Sequence, residues 1–425
     1  MRLKIKNIIA SILCIAAIRT AAAQEAADTT DCAVRETPQL EFSDEELDVI
    51  PPFIKQNENR IELNGADWSN LRHKAAHTDS ATLTIVHIGD SHIQADFSTG
   101  KTRALMQAEY GNAGRGLIVP LKLAGTNEPR DYIIKSTSKW HGSKLLKQNE
   151  NAAPGFTGVG ISPVCDSTSL TIATLSRTGN ADPFNRLKIY HSGTLLIDSV
   201  SSQDSPIAFS ATYTDSVTIV TLPQLLTEVS LALTTGYGTS ISGIVLSNGK
   251  SSGVLYHAIG NNGATYHCYN MLPAGARKMG DINPDLIIVS LGANEAFGKQ
   301  TDDEIYRSID TFVTNIRQSY PASDILLTTP MECQKSTRVR RKGKKRSRRT
   351  YTVNERILAV RNIIARYGDE HGIPVYDWYE IAGGTGASRQ WVNDGLMAKD
   401  RIHHSYKGYR LHGALLYDAL KNSLR

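Results

Sequence analysis

The sequence predicts an α/β fold: a mostly parallel sheet covered by helices on both faces, interrupted by an inserted antiparallel β-sandwich. Two patterns carry this prediction. Four short β-branched or apolar runs, TLTIVHI (82–88), DLIIVSL (285–291), DILLTT (324–329) and IPVYDW (373–378), are each followed by turn or polar residues and mostly by a helical pattern, the alternation of an open parallel sheet. From about 130 to 253 short alternating stretches (SLTIATL, RLKIYHS, TLLIDSV, VTIVTL, VSLALTT) are separated by Gly, Asn, Asp, Ser and Pro, the spacing of antiparallel strands. Length agrees, since 425 residues exceed what one core usually serves.

Taken in chain order, residues 1–23 have a basic start, an apolar stretch at 8–18 and the small residues Ala21, Ala22 and Ala23, the pattern of a secretory signal peptide. Cys14 follows Leu13, where a lipid-attachment site wants a small residue. No later stretch approaches the roughly 18 apolar residues of a spanning helix. Residues 24–80 begin acidic and contain Pro51 and Pro52 without a sustained period, so they are read as a linker and N-terminal approach. The catalytic domain is then expected in two parts, 81–129 and 254–425, on either side of the sandwich at 130–253. VLYHAI (254–259) supplies a fifth parallel strand. A helix is expected at 301–320, where Ile305, Ile309, Phe312, Val313 and Ile316 share a face and Thr301 and Glu304 have capping-box spacing. Further helices are expected at 353–367 and 405–424, the last with Tyr409, Leu415, Leu416 and Leu420 turned inward.

The formal charge of +5 conceals an uneven distribution. Nine cations lie at 338–349 (RVRRKGKKRSRR) and four in the first 23 residues; without them the chain carries −8. The body is thus mildly acidic, with one basic loop at 336–350. Such a run reads as a solvated loop or, alternatively, as a holder of anionic envelope polymer. Nucleic acid is not expected, because no aromatic residue in the run could stack a base. Cys32, Cys165, Cys268 and Cys333 are widely spaced and form no C-x-x-C pair, so neither a metal set nor a disulfide pairing follows from them.

In an open parallel sheet ligands bind beyond the carboxyl ends of the strands. The residues there are Gly89-Asp90-Ser91-His92, Gly260-Asn261-Asn262-Gly263-Ala264 and Gly292-Ala293-Asn294-Glu295, joined late in the chain by Asp400-Arg401-Ile402-His403. A serine hydroxyl needs a base to become nucleophilic, and imidazole suits that task. Ser91 with His403 provides the pair, and Asp400, three residues earlier, can hold the imidazole tautomer. The N–H groups of Ser91 and Gly263 and the amide of Asn294 are candidate oxyanion donors. Alone, each motif has a plainer reading as a turn or cap; their shared placement at strand ends is what points to acyl transfer. DRIHH offers two histidines, and spacing favours His403, with His404 turned away if the segment is extended. His87, His92, His257 and His267 fit no standard ligand set. Trp391 is expected to pack the loop before Asp400, with stacking on a sugar ring as the alternative.

GDSH (89–92), the glycine of NGA (262–264), GANE (292–295) and DRIH (400–403) resemble the four blocks of the SGNH (GDSL) hydrolases. Around them HIGDSHIQADFSTG, YGNAGRGLIVP, GVLYHAIGNNGATY, DLIIVSLGANEAFG and the stretch 383–420 resemble the peptidoglycan O-acetylesterase branch, whose members carry an inserted carbohydrate-binding-like sandwich. The resemblance covers most of 82–425. It implies a three-layer α/β/α, flavodoxin-like domain without metal or cofactor, and a ping-pong reaction through an acyl-serine. Ser91 is then the nucleophile, Ser91, Gly263 and Asn294 form the oxyanion hole, His403 is the base and Asp400 orients it. Glu295 stands where many members have Asp, but GxNE occurs in this branch. The implied protein is an esterase of the periplasm or cell envelope acting on an O-acetylated glycan, peptidoglycan first. The alternatives are another acetylated polysaccharide or a glycan-binding or adhesive protein without turnover. The basic run has no counterpart in the family, and no oligomeric state follows.

Overall fold

A computed structural model describes residues 49–175, 181–339 and 348–425. The signal-peptide stretch 1–23, Cys32 and the centre of the basic run at 340–347 lie outside the described residues. Six strands form the central sheet: β1 (Ile61–Glu62), β2 (Thr82–Gly89), β3 (Gly253–Gly260), β4 (Leu286–Ser290), β5 (Asp324–Thr328) and β6 (Val375–Tyr376). Their spatial order is β1-β6-β5-β4-β2-β3; every pair is parallel except β1 with β6. The five parallel strands therefore run 2-1-3-4-5, the flavodoxin-like order, with its switch point between β2 and β4. Burial explains the unbroken apolar runs: Leu83, Ile85 and Val86 in β2, and Leu286 to Val289 in β4, are fully enclosed.

The chain leaves β2 toward β3 on one side of the sheet and leaves β4 toward β5 on the other. Right-handed crossovers then put the intervening helices, Phe97–Tyr110 and Asp302–Ser319, on opposite faces. Tyr406–Ser423 packs beside the first, Arg356–His371 beside the second, completing three layers. The Asp302–Ser319 helix has the anticipated capping box between Thr301 and Glu304 and buries Ile305, Ile309, Phe312, Val313 and Ile316. Arg356–His371 starts three residues later than the pattern suggests, because residues up to Val353 pair as a strand: Gln334–Val339 and Arg348–Val353 form an antiparallel ribbon flanking the basic run. Phe97–Tyr110 has no apolar stripe; it buries Ser98, Thr99, Thr102, Arg103 and Gln107 with Met106. Small residues replace the stripe. Thr102 Oγ donates to Gly413 O at 2.9 Å, and a side chain at Gly413 would lie 2.3 Å from Ser98 O.

The inserted region forms two antiparallel sheets. One contains the strands at 132–135, 167–174, 195–202, 205–206 and 228–235. The other contains those at 140–144, 159–163, 184–192, 210–213, 217–226 and 240–247, with Gly116–Ile118 paired to the last. Gly116–Ile118 precedes residue 130, so sandwich pairing begins earlier than the pattern at 130–253 suggests. Alternating side chains such as Leu170 and Ile172, or Leu187 and Ile189, are buried, as half-covered sheets require.

The expected linker at 24–80 needs correction from Val49 onward. Ile54, Ile61, Trp68, Leu71 and Ala75 are buried, Ser69–Ala76 is a helix and β1 extends the sheet. The segment is too short for a visible period and is held by scattered apolar anchors. Cys165, Cys268 and Cys333 are free thiols. Among the described residues no helix is long and apolar enough to cross a membrane.

Candidate active site

Strand register brings the site together. Gly89 is the partner of both Gly260 and Ser290, so the ends of β3, β2 and β4 lie abreast at the switch point. Ser91, Gly263 and Asn294 then follow within two to four residues of a common level. The glycines at these ends are a steric requirement. The short helix Ser91–Gln94 folds back over the sheet so closely that a Cβ on Gly89 would lie 2.3 Å from Ile93 Cγ1, and one on Gly260 2.1 Å from the Gln94 nitrogen.

Asp90 caps that helix by accepting from the His92 N–H at 2.8 Å. Ser91 is buried, and its Oγ lies 2.8 Å from His403 Nε2. On the far side of the ring, His403 Nδ1 lies 2.6 Å from Asp400 Oδ2. Asp400 Oδ1 meanwhile accepts from the N–H groups of Ile402 at 2.9 Å and His403 at 3.1 Å. Burial pushes the Asp400 carboxyl up, but the hydrogen bond and charge of His403, with those two N–H groups, hold it below the usual carboxylate range. It is thus an ionised carboxylate aimed at the imidazole. The turn is closed by Ala398 N–H to His403 O at 2.8 Å, with Arg401 in the left-handed region at φ +61°.

His404 points the other way. Its ring lies 4.8 Å from that of Trp391 and 4.9 Å from that of Tyr409. Burial drives it well below the ordinary histidine range, aided by the neighbouring His92, so it is a neutral packing group. Trp391 is fully buried and donates to Ala382 O at 2.8 Å, which leaves it no face for a sugar.

Three candidate oxyanion donors follow the ends of β2, β3 and β4. Among the described residues the N–H groups of Ser91 and Gly263 have no protein acceptor. Asn294 Nδ2 donates to Asp90 Oδ2 and to Ala264 O, both at 3.0 Å, so it staples the Gly263 turn to the Ser91 turn, and donation to an oxyanion would exchange one of these acceptors. Burial raises the Asp90 carboxyl to about 6, against the pull of the His92 N–H.

Glu295 is fully enclosed behind this group. Its Oε1 accepts from the Tyr266 N–H at 2.8 Å, fixing the helix Tyr266–Asn270 just after Gly263, while Oε2 makes no close hydrogen bond among the described residues. Burial raises its carboxyl from 4.5 to about 7. A folded-state value above the unfolded one means that its stabilising contribution is complete below pH 4.5 and is lost as pH rises through 7. Glu295→Gln keeps an acceptor for Tyr266 but does not titrate. Its unfolding free energy relative to wild type should rise by about 2–4 kcal/mol between pH 4.5 and 7.5, as denaturant titrations at several pH values would measure.

Residues 235–411 match the family described as GDSL-like lipase/acylhydrolase. Over that stretch the chain is similar to the SGNH hydrolases, and the match supports a hydrolase acting on ester bonds. Among solved structures, a peptidoglycan O-acetylesterase is similar over 86% of this chain and 99% of its own, with 22% identity and a TM-score of 0.65, a shared fold that includes the extra β domain. A possible lipase from Chitinophaga pinensis is 20% identical over 40% of this chain and 85% of its own, with a TM-score of 0.28. A lipase/acylhydrolase from Enterococcus faecalis is 21% identical over 41% of this chain and 79% of its own, also with a TM-score of 0.28. No curated protein matches.

Three of the four other candidate histidines are held by contacts. His87 lies between Tyr256 Oη at 2.7 Å and Ser290 Oγ at 2.6 Å, and His257 Nδ1 accepts from the Leu117 N–H at 3.0 Å. His92 Nδ1 lies 3.1 Å from Tyr409 Oη, and His267 is exposed. One group absent from the sequence reading is Gln94, in HIQAD. Its Oε1 accepts from the Asn262 N–H at 2.8 Å, and its Nε2 donates to Asn127 O at 2.8 Å and Asn127 Oδ1 at 2.9 Å. A glutamine just past the nucleophile's turn was its only signal. Another is the ionic cluster of buried Asp96, Arg103 and Arg115 with part-exposed Asp131, in which Arg103 and Arg115 each bind both carboxylates. It ties the helix behind Ser91 to the sandwich.

Proposed function

We propose that the protein is an exported serine carbohydrate esterase that removes O-acetyl groups from peptidoglycan through an acyl-serine intermediate. The observation that carries the chemistry is the unbroken line Ser91 Oγ, His403 Nε2, His403 Nδ1, Asp400 Oδ2, with contacts of 2.8 and 2.6 Å. In this reading Ser91 Oγ attacks the acetyl carbonyl while His403 Nε2 takes its proton. The N–H groups of Ser91 and Gly263, with the Asn294 amide, receive the negative oxygen. Collapse breaks the ester bond, and the sugar oxygen leaves with the proton from His403. Water then attacks the acetyl-serine with His403 again as base, releasing acetate and restoring Ser91.

The substrate rests on different support. The peptidoglycan O-acetylesterase resembles this chain across the hydrolase domain and the extra β domain together. Export rests on the residues at 1–23. The test is acetate release from O-acetylated peptidoglycan beside the same material de-O-acetylated by mild base. Acetate is expected only from the first. Hydrolysis of a small chromogenic acetate ester without release from any glycan would leave the chemistry and remove the substrate.

A further inference from the structure

We propose that the inserted sandwich is part of the catalytic apparatus: its loops hold the turn that aims the Gly263 N–H, and Asn127 is a positioning residue of that turn. The proposal rests on the reading of Gly263 as an oxyanion donor. Residues 261–264 form a four-residue turn in which Ala264 N–H donates to Asn261 O at 3.0 Å. Gly263, third in the turn, has φ +77°, while Asn262 does not lie at positive φ. That is the signature of a type II turn. Types I and II differ by rotation of the central peptide through roughly 180°, here the peptide between Asn262 and Gly263. The type adopted therefore decides which way the Gly263 N–H points. An oxyanion donor works only if its direction is set before the charge develops.

Both residues preceding Gly263 are held from outside the parallel sheet. The Asn261 side chain donates to Thr157 O at 2.8 Å, in the loop entering the sandwich strand at 159–163, and to Tyr269 Oη at 3.0 Å. A Cβ on Gly158 would come within 2.8 Å of that amide, so the loop closes directly over it. Asn262 donates through Nδ2 to Asn127 Oδ1 at 2.7 Å and through its backbone N–H to Gln94 Oε1 at 2.8 Å. Gln94 in turn donates to Asn127 O and Oδ1. Asn127 lies between the sandwich strands 116–118 and 132–135, so one side chain of the insertion accepts from both amides that fix Asn262. Leu146, at the end of another sandwich hairpin, hangs over the glycine, its Cδ1 2.8 Å from where a Gly263 Cβ would be. The insertion therefore meets the turn at three of its residues, Asn261, Asn262 and Gly263.

A sandwich that served only to hold polymer would leave the turnover of a small ester untouched by changes at Asn127. Two variants separate the cases. Asn127→Leu removes the acceptor at an exposed position, and Asn127→Asp keeps an oxygen for both amides. With a small chromogenic acetate ester, Asn127→Leu should lower kcat by about 10- to 100-fold, below the roughly 100- to 1,000-fold loss on removing an oxyanion donor outright. KM should stay within about twofold, because ground-state contacts are unchanged. Asn127→Asp should recover most of the loss, and modification of Ser91 by a fluorophosphonate should follow the same order. Wild-type kcat in a folded Asn127→Leu, or equal losses in both variants, would overturn the positioning role. Ester turnover without acetate release from peptidoglycan removes the substrate reading and leaves this one standing. A wild-type protein that neither turns over the ester nor reacts at Ser91 overturns both.

Discussion

Ser91→Ala should lower turnover of any acetate ester by about a millionfold while leaving the melting temperature within a few degrees of wild type. The size follows from what the substitution removes: the Ser91 hydroxyl is the one bonded to the imidazole that Asp400 holds, and loss of a triad nucleophile in serine hydrolases costs about that factor. Stability should be spared because alanine is no larger than serine, and the helix that residue 91 begins is capped by Asp90. Kinetics and thermal unfolding on the same preparation check both halves. Retained turnover with a normal melting temperature would mean that another residue carries the acyl group.

The second large effect separates the adjacent histidines. His403→Ala should cost about 10^6-fold in kcat and Asp400→Asn about 10^4-fold, since the latter loses tautomer control but keeps the base. His404→Ala should leave kcat within about tenfold and appear in unfolding experiments instead, at a cost on the order of 2 kcal/mol, because its ring fills space between Trp391 and Tyr409. Assays at a temperature where all three variants are folded give the comparison. A larger kcat loss for His404→Ala than for His403→Ala would exchange their roles.

The site was legible in the sequence where function sits on backbone geometry. Gly89, Gly260 and Ser290 end three parallel strands in register, and each strand was visible as an apolar run. The two histidines were separable by spacing, which favours His403 in D-x-x-H with Asp400, and by the rule that neighbouring side chains of an extended segment point apart; His403 faces Ser91 and His404 faces Trp391. What stayed hidden depends on pairs distant in sequence. Gln94 is linked to Asn127 33 positions later and to Asn262 168 positions later, and no local pattern announces such a clamp. The helix Phe97–Tyr110 was hidden for another reason. It buries hydroxyls and Arg103 against backbone and carboxylates, so a search for apolar periodicity passes over it. The folded stretch from Val49 to Ser80 was missed because Ile54, Ile61, Trp68 and Leu71 are anchors without a period.

Whether Ser91 is the atom that takes the acyl group is tested most directly by locating the covalent adduct. The protein is treated with a serine-directed fluorophosphonate, digested, and the modified residue mapped by mass spectrometry in wild type and in Asp400→Asn. The account predicts one adduct, on Ser91, formed far more slowly in Asp400→Asn because the imidazole no longer takes up the hydroxyl proton efficiently. An adduct on any other residue, or a rate indifferent to Asp400, would contradict it.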